Sequence, residues 1–219
     1  MTRKDDARTR QRNRRRTVLA AVCAAIVGVV VFPPRSWATI QEQRARLPPA
    51  ATDCTDPVAG VWKSHAYYPY HGQWYIFHLT IRRVEGHPDQ LAGEVHSEYW
   101  SGDETNEQPP TCAPGGFHNT VIMPAEGHVS GNEIFFGGTS WRNDRTFCGS
   151  PTTGYYPDRF SGTIDPAILE FQSVNNDGGP MVNYPTVFRR IRCSDTPQSP
   201  HVVSEPPPFY PNTGCGCRM

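Results

Sequence analysis

The sequence predicts an all-β domain: an antiparallel meander of eight strands closed into a barrel. Three observations carry this. Glycine (19) and proline (22) make up close to a fifth of the 219 residues, a level that interrupts helices and supplies turns. Several short segments alternate apolar and polar residues with the period of a half-buried strand. No stretch carries a sustained apolar stripe at helical spacing. The length suits one domain with tails.

Residues 1–38 read as an address. Residues 1–16 hold eight Arg or Lys and two Asp, and residues 17–32 then run without a charge to Pro33-Pro34, where a helix cannot continue. Ser36-Trp37-Ala38 places small residues at the −3 and −1 positions of a cleavage after Ala38. A basic start, an apolar middle and such a site describe an export signal. An uncleaved membrane anchor with its basic end in the cytoplasm is the competing reading, although 16 apolar residues fall short of the roughly 20 that a spanning helix wants. Under either reading the remainder is extracytoplasmic: secreted, periplasmic, or membrane-anchored and facing outward. Arg15-Arg16-Thr17-Val18-Leu19 also resembles a twin-arginine signal. Cys23 reads as a small buried residue of the apolar segment.

Residues 39–53 read as a linker and residues 54–193 as the barrel domain. Its strands are expected at 58–65, 73–84, 91–100, 117–123, 128–137 with a kink at Gly131, 159–165, 168–173 and 184–192. For the second and third, a loop over 86–90 containing the turn signal Pro88-Asp89 sets a register. Ile81 then faces Val95, Leu79 faces Ser97, and Phe77 faces Tyr99. On the other face Arg82 opposes Glu94, Thr80 opposes His96, and His78 opposes Glu98. One register thus puts apolar residues inside and complementary charges outside, and a slip by one residue would mix the faces. Asp165-Pro166 turns the sixth strand into the seventh. Closing eight such strands removes the exposed edges. Residues 194–219, with Pro206-Pro207-Pro208 and Cys215-Gly216-Cys217, read as an extended proline-rich tail.

Cysteine usage agrees with export. Six cysteines follow residue 38, and an even set in an exported chain reads as disulfides. Six allow 15 pairings. Barrel closure selects among them: Cys54 lies just before the first strand and Cys193 just after the last, and in a closed meander those strands are neighbours. Their ends fall within the roughly 4.4–6.8 Å between Cα atoms that a disulfide spans. Cys112 and Cys148 would then join two long loops. Closing the larger loop stabilises by about 4 kcal/mol in the chain-entropy account. Cys215 and Cys217 form a local disulfide, stay unpaired, or supply half of a soft-metal site.

Gly60-Val61-Trp62, opening the first strand, resembles the G-x-W of lipocalins and other calycins. The last strand, with Arg189, Arg190 and Arg192, is placed like the lipocalin strand whose basic residue lies over that Trp. The resemblance implies an eight-stranded, lipocalin-like barrel that binds a small, often apolar ligand in its open mouth. On that reading the inner face and mouth are built from Trp62, Tyr75, Phe77, Tyr99 and Phe160.

Two further classes follow from the residues. Glu94, His96 and Glu98 share one strand face at a spacing of two, roughly 7 Å apart, which is compatible with chelation and a metal-bound water, with His78 across from Glu98. The same trio reads equally as a solvated outer face with cross-strand ion pairs. Aromatic side chains crowd the first strands and recur at Trp100, Trp141, Tyr155 and Tyr156, where they could stack on glycan or on a protein partner at the cell envelope. Cys148 reads as a disulfide half rather than a nucleophile. No phosphate-binding glycine loop, nucleophile elbow or H-E-x-x-H motif is present, and no cofactor is specified. Outside residues 1–16 and Arg35 the chain holds 12 basic and 19 acidic residues, which disfavours a nucleic-acid partner.

Overall fold

The computed structural model describes residues 39–109, 112, 114–179 and 181–194. The expected export segment, Cys23, and the tail beyond Ser194 with Cys215 and Cys217 lie outside them. Among the described residues one short helix, α1 (Ile40–Arg46), precedes ten strands. These are β1 (Gly60–Lys63), β2 (Ala66–Tyr68), β3 (Gln73–Val84), β4 (His87–Ser101) and β5 (His118–Ser130). Then come β6 (Glu133–Gly138), β7 (Arg142–Cys148), β8 (Arg159–Asp165), β9 (Glu170–Asn175) and β10 (Tyr184–Cys193). The antiparallel order β1-β10-β9-β8-β6-β5-β4-β3 returns to β1, so eight strands close a barrel. β2 continues β1 along β3, and β7 pairs the first half of β5. Among the described residues no helix is long and apolar enough to cross a membrane.

The inside–outside division holds, while the register of the β3–β4 hairpin differs by two residues from the expected one. Leu79 faces Val95, Phe77 faces Ser97 and Tyr75 faces Tyr99; outside, Thr80 faces Glu94, His78 faces His96 and Ile76 faces Glu98. The cause is the turn and a bulge beside it. The chain reverses at Glu85-Gly86, with Gly86 in the left-handed region (φ 76°), so that Val84 opposes His87, and a β-bulge over residues 88–90 then brings Leu91 opposite Arg83. Pro88 and Asp89 therefore lie within β4, and the Arg83 guanidinium donates to the Pro88 carbonyl. A two-residue shift leaves every side chain on its face, which is why alternation alone does not distinguish the two registers.

The middle strands are also divided differently. β5 runs unbroken through Pro124, and the reversal comes at Gly131-Asn132, so the expected strands over 117–123 and 128–137 are in fact one long strand and a hairpin partner. Pro124 is tolerated because β6 ends at Gly138 and β7 begins at Arg142. Its carbonyl accepts from the Thr139 N–H in that gap, so the proline nitrogen faces a stretch where no ladder bond is lost. β7, read as loop in the sequence, has mostly exposed side chains and lacks alternation.

Residues 39–53, read as a linker, pack against the barrel. Thr39 and Glu42 form a capping box at the start of α1, each side chain bonding the other's backbone N–H. Gln43, fully buried, donates from Nε2 to the Pro185 carbonyl and accepts from the Val187 N–H. It thereby satisfies the edge of β10 where β1 has ended and β2 has not paired. Glu170, 2 % exposed, holds Arg44 at 2.6 Å and Arg189 at 2.7 Å.

Cys54–Cys193 joins the barrel's first and last strands with Cα atoms 5.1 Å apart, and Cys112–Cys148 pairs with Cα atoms 5.4 Å apart. Both pairings match the sequence expectation, and both fit an oxidising, extracytoplasmic setting. At the same end Arg190 lies over the Trp62 ring, its guanidinium carbon 5.6 Å from the centroid, while donating to the Asp56 carbonyl. Gly60 makes this possible: a Cβ there would stand 2.5 Å from the Arg192 carbonyl oxygen and 3.1 Å from the Arg190 side chain.

Candidate functional site

The barrel interior is a column of aromatic side chains. Phe77, Phe160, Phe171 and Phe188 pack at its centre, with Phe77 and Phe160 edge to face at 5.1 Å. Trp62 lies toward the end closed by Arg190, the Asp56 loop and the first disulfide. Trp62, Phe77 and Phe160 are at most 1 % exposed. The five residues expected to line a ligand site therefore do meet in one cluster, but three form its interior packing and only Tyr75 and Tyr99 reach the far end.

That far end is the candidate mouth. The wall is incomplete there, because β7 follows β5 and leaves β8, and the loop over 149–158 fills the gap. Asn119 and Asn143 hold this loop through the carbonyls of Ser150 and Thr152. Tyr75 stacks on Tyr99 at 5.3 Å, and Tyr99 contacts both Phe117 and Tyr155. Trp141 packs on Tyr155 at 5.8 Å. Tyr75, Phe117, Trp141 and Tyr155 are only partly buried where they pack against the core.

Beneath the rings lies a carboxyl group. Asp158, 2 % exposed, accepts from the Tyr155 hydroxyl and, at 2.6 Å, from Asn175 Nδ2. Ser97 stands 3.1 Å from the same tyrosine oxygen. Burial pushes Asp158 up to about 7, against the two hydrogen bonds that favour its charged form; Asp177 adds to the rise. Burial likewise pushes the Tyr75 and Tyr155 phenols up, so both stay protonated donors at neutral pH. A carboxylate has about four acceptor positions, and two are used. Chemically, the mouth offers flat apolar faces above a polar point that alternates between neutral and charged near neutral pH.

The expected chelating trio lies on the outer face. His96 Nε2 stands 3.7 Å from Asp144, and Glu98 accepts from His118 at 2.8 Å. His78 stacks beside His96, with ring centroids 6.3 Å apart. Glu94 is exposed and pairs with Thr80 and Pro124 across the strands. Burial raises Glu98, but the hydrogen bond from His118 and the charges of the three histidines outweigh it and hold the carboxyl below its usual range. Among the described residues no group of three or more His, Cys, Asp or Glu stands in a geometry that could hold a metal. Asp144 and Tyr155 complete these clusters by way of β7 and the 149–158 loop, segments whose sequence shows no periodicity to place them, whereas His118 opens β5 and Phe117 precedes it, both within the expected strand over 117–123.

Trp100 is not a surface platform. It is fully buried, stacked on Trp74, and donates to the Asn106 carbonyl under the 102–107 loop; Arg46 covers Trp74 at 4.9 Å. Comparison with protein families, with curated proteins and with solved structures found no match to this chain.

Proposed function

We propose that the protein is an exported binding module that takes a small amphipathic ligand across the mouth of its barrel. The ligand's apolar body lies on Tyr75, Trp141 and Tyr155, and its polar end reaches toward Asp158 and Ser97. The observation that carries this is the convergence of partly exposed rings over a buried carboxyl at the one end where the wall is incomplete. Because Phe77 and Phe160 fill the barrel below, the site is shallow, and a ligand of ring size fits it better than a long acyl chain. The Trp62–Arg190 contact at the closed end supports a calycin-like reading of the fold.

Trp141 is the natural reporter. Titration with retinoid-like, fatty-acid and haem-like compounds, followed by tryptophan fluorescence, is expected to give a saturable shift with the ring-bearing compounds. That shift is lost in Trp141→Phe, and affinity falls at least about tenfold in Tyr155→Ala, the size of effect expected from an aromatic contact worth about 1.4 kcal/mol. No shift with any of the three classes, or equal affinity in Tyr155→Ala, overturns the proposal.

A further inference from the structure

A second candidate surface lies on the outside of the barrel, away from the mouth. Two depressions, of about 740 and about 290 Å³, meet at His128 and Phe135 and cross β4, β5, β6 and β8. Strand register explains their form. One cross-strand row reads Gln90, His128, Phe135, Ser161. The next reads Ala92, Glu126, Gly137, Arg159. Ala92 and Gly137 bring almost no side chain to the second row, so it forms a floor between Glu126 and Arg159. The stem of Arg159 lies against Gly137, where a Cβ would stand 2.8 Å from its Cγ. Phe135 borders the floor, partly exposed, with the His128 imidazole stacked on it at 5.6 Å and 24°.

Polar groups around this floor are uncommitted. Among the described residues no ion pair and no side-chain hydrogen bond engages the side chains of Gln90, Glu126, His128, Glu133, Arg159 or Ser161. They alternate acceptors (Glu126, Glu133) with donors (Arg159, His128) and with groups that do both (Gln90, Ser161). Carboxylates on both sides of the groove disfavour a polyanion. The partly exposed Phe135 ring and the aliphatic stem of Arg159 over Gly137 offer apolar contact without the depth an aliphatic ligand needs.

We infer that this groove binds a neutral oligosaccharide, one sugar face stacked on Phe135 and its hydroxyls bonded by Glu126, Arg159 and Gln90. A pyranose presents the matching surface: a flat C–H face that stacks on an aromatic ring, and a rim of hydroxyls that each donate and accept. The groove's open, elongated shape across four strands suits several units of a chain rather than one.

Native gel electrophoresis of the folded protein, in gels containing hydroxyethylcellulose, arabinoxylan, galactomannan or soluble starch, tests this. One or more of these neutral polysaccharides is expected to retard the protein. Retardation falls at least tenfold in Phe135→Ala and in the surface variant Glu126→Ala, is retained in Phe135→Trp, and is unchanged in Trp141→Phe. Glu126→Ala keeps the test decisive if Phe135→Ala folds poorly. Four results overturn the inference: no retardation by any of the four, retardation only by acidic alginate or heparin gels, equal retardation in both groove variants, or loss in Trp141→Phe alone. The last would assign sugar binding to the mouth, and the first would leave the mouth proposal standing.

Discussion

Asp158 and His65 show how burial sets the chemistry of single residues. Asp158 titrates near 7 in the folded chain and at its ordinary 3.8 when unfolded. Between those values the folded state holds a proton that the unfolded chain has released. Its stabilising contribution is therefore complete below about pH 4 and is lost as the pH rises toward 7. Asp158→Asn should remove that loss. The melting temperature of the variant relative to the parent should rise steadily from pH 4 to pH 8 in a thermal scan, and parallel profiles would mean that Asp158 does not titrate there. His65 behaves in the opposite sense. Burial, then the charges of Lys63 and Arg46, push it down to about 4, so its contribution is present above 6.5 and lost as the pH falls toward 4. Its imidazole proton resonances should titrate with a midpoint near 4 rather than 6.5. At Gly60 the issue is space and conformation. With φ at 146° and a Cβ that would meet the Arg192 carbonyl, Gly60→Ala should cost about 1–3 kcal/mol in urea unfolding.

At the scale of the element, the unusual feature is a helix side chain finishing a sheet. Gln43 of α1 gives β10 one donor and one acceptor at the place where its neighbouring strand is interrupted. Gln43→Ala leaves the Val187 N–H and the Pro185 carbonyl buried without partners, at about 1–3 kcal/mol for each. The Val187 amide should then exchange with deuterium at least tenfold faster, while amides in the β3–β4 hairpin are much less affected. Uniform acceleration across the barrel would show that α1 supports the whole sheet rather than its seam. α1 was detectable in the sequence from Thr39 and Glu42 at capping-box spacing, but seven residues are too few for an apolar stripe to show.

For the whole molecule, the two disulfides act on different loops. Cys54–Cys193 closes 139 residues and the seam of the barrel, whereas Cys112–Cys148 closes 36 and holds β7. The chain-entropy account makes the first worth about 1 kcal/mol more than the second. Replacing both cysteines of the first pair with serine should lower the urea midpoint more than replacing those of the second, in cooperative transitions. The second replacement should mainly release β7 and the rim, and so weaken the Trp141 fluorescence response to ligand. The opposite ranking would place the structural burden on β7.

Alternation by itself determined which side chains face the core, because a strand's period of two does not depend on its partner. It was enough to put Phe77, Leu79 and Ile81 inside, and Thr80 and His78 outside, even with the wrong register. The positions of Cys54 and Cys193 at the two ends of the strand series determined their pairing once a closed meander was assumed, and Gly60-Val61-Trp62 marked where the last strand's arginine would lie. Tertiary structure decided what periodicity cannot express. A two-residue turn at Glu85-Gly86 and the β-bulge after His87 together fixed the hairpin register. A gap between β6 and β7 let β5 continue through Pro124. Packing placed β7, Asp144 and the 149–158 loop, whose sequences carry no pattern. The candidate mouth depends on all of these, because Tyr75, Tyr155 and Asp158 come from distant segments and meet only when the barrel closes. Their chemistry follows from burial, a property of the folded whole that no single segment contains.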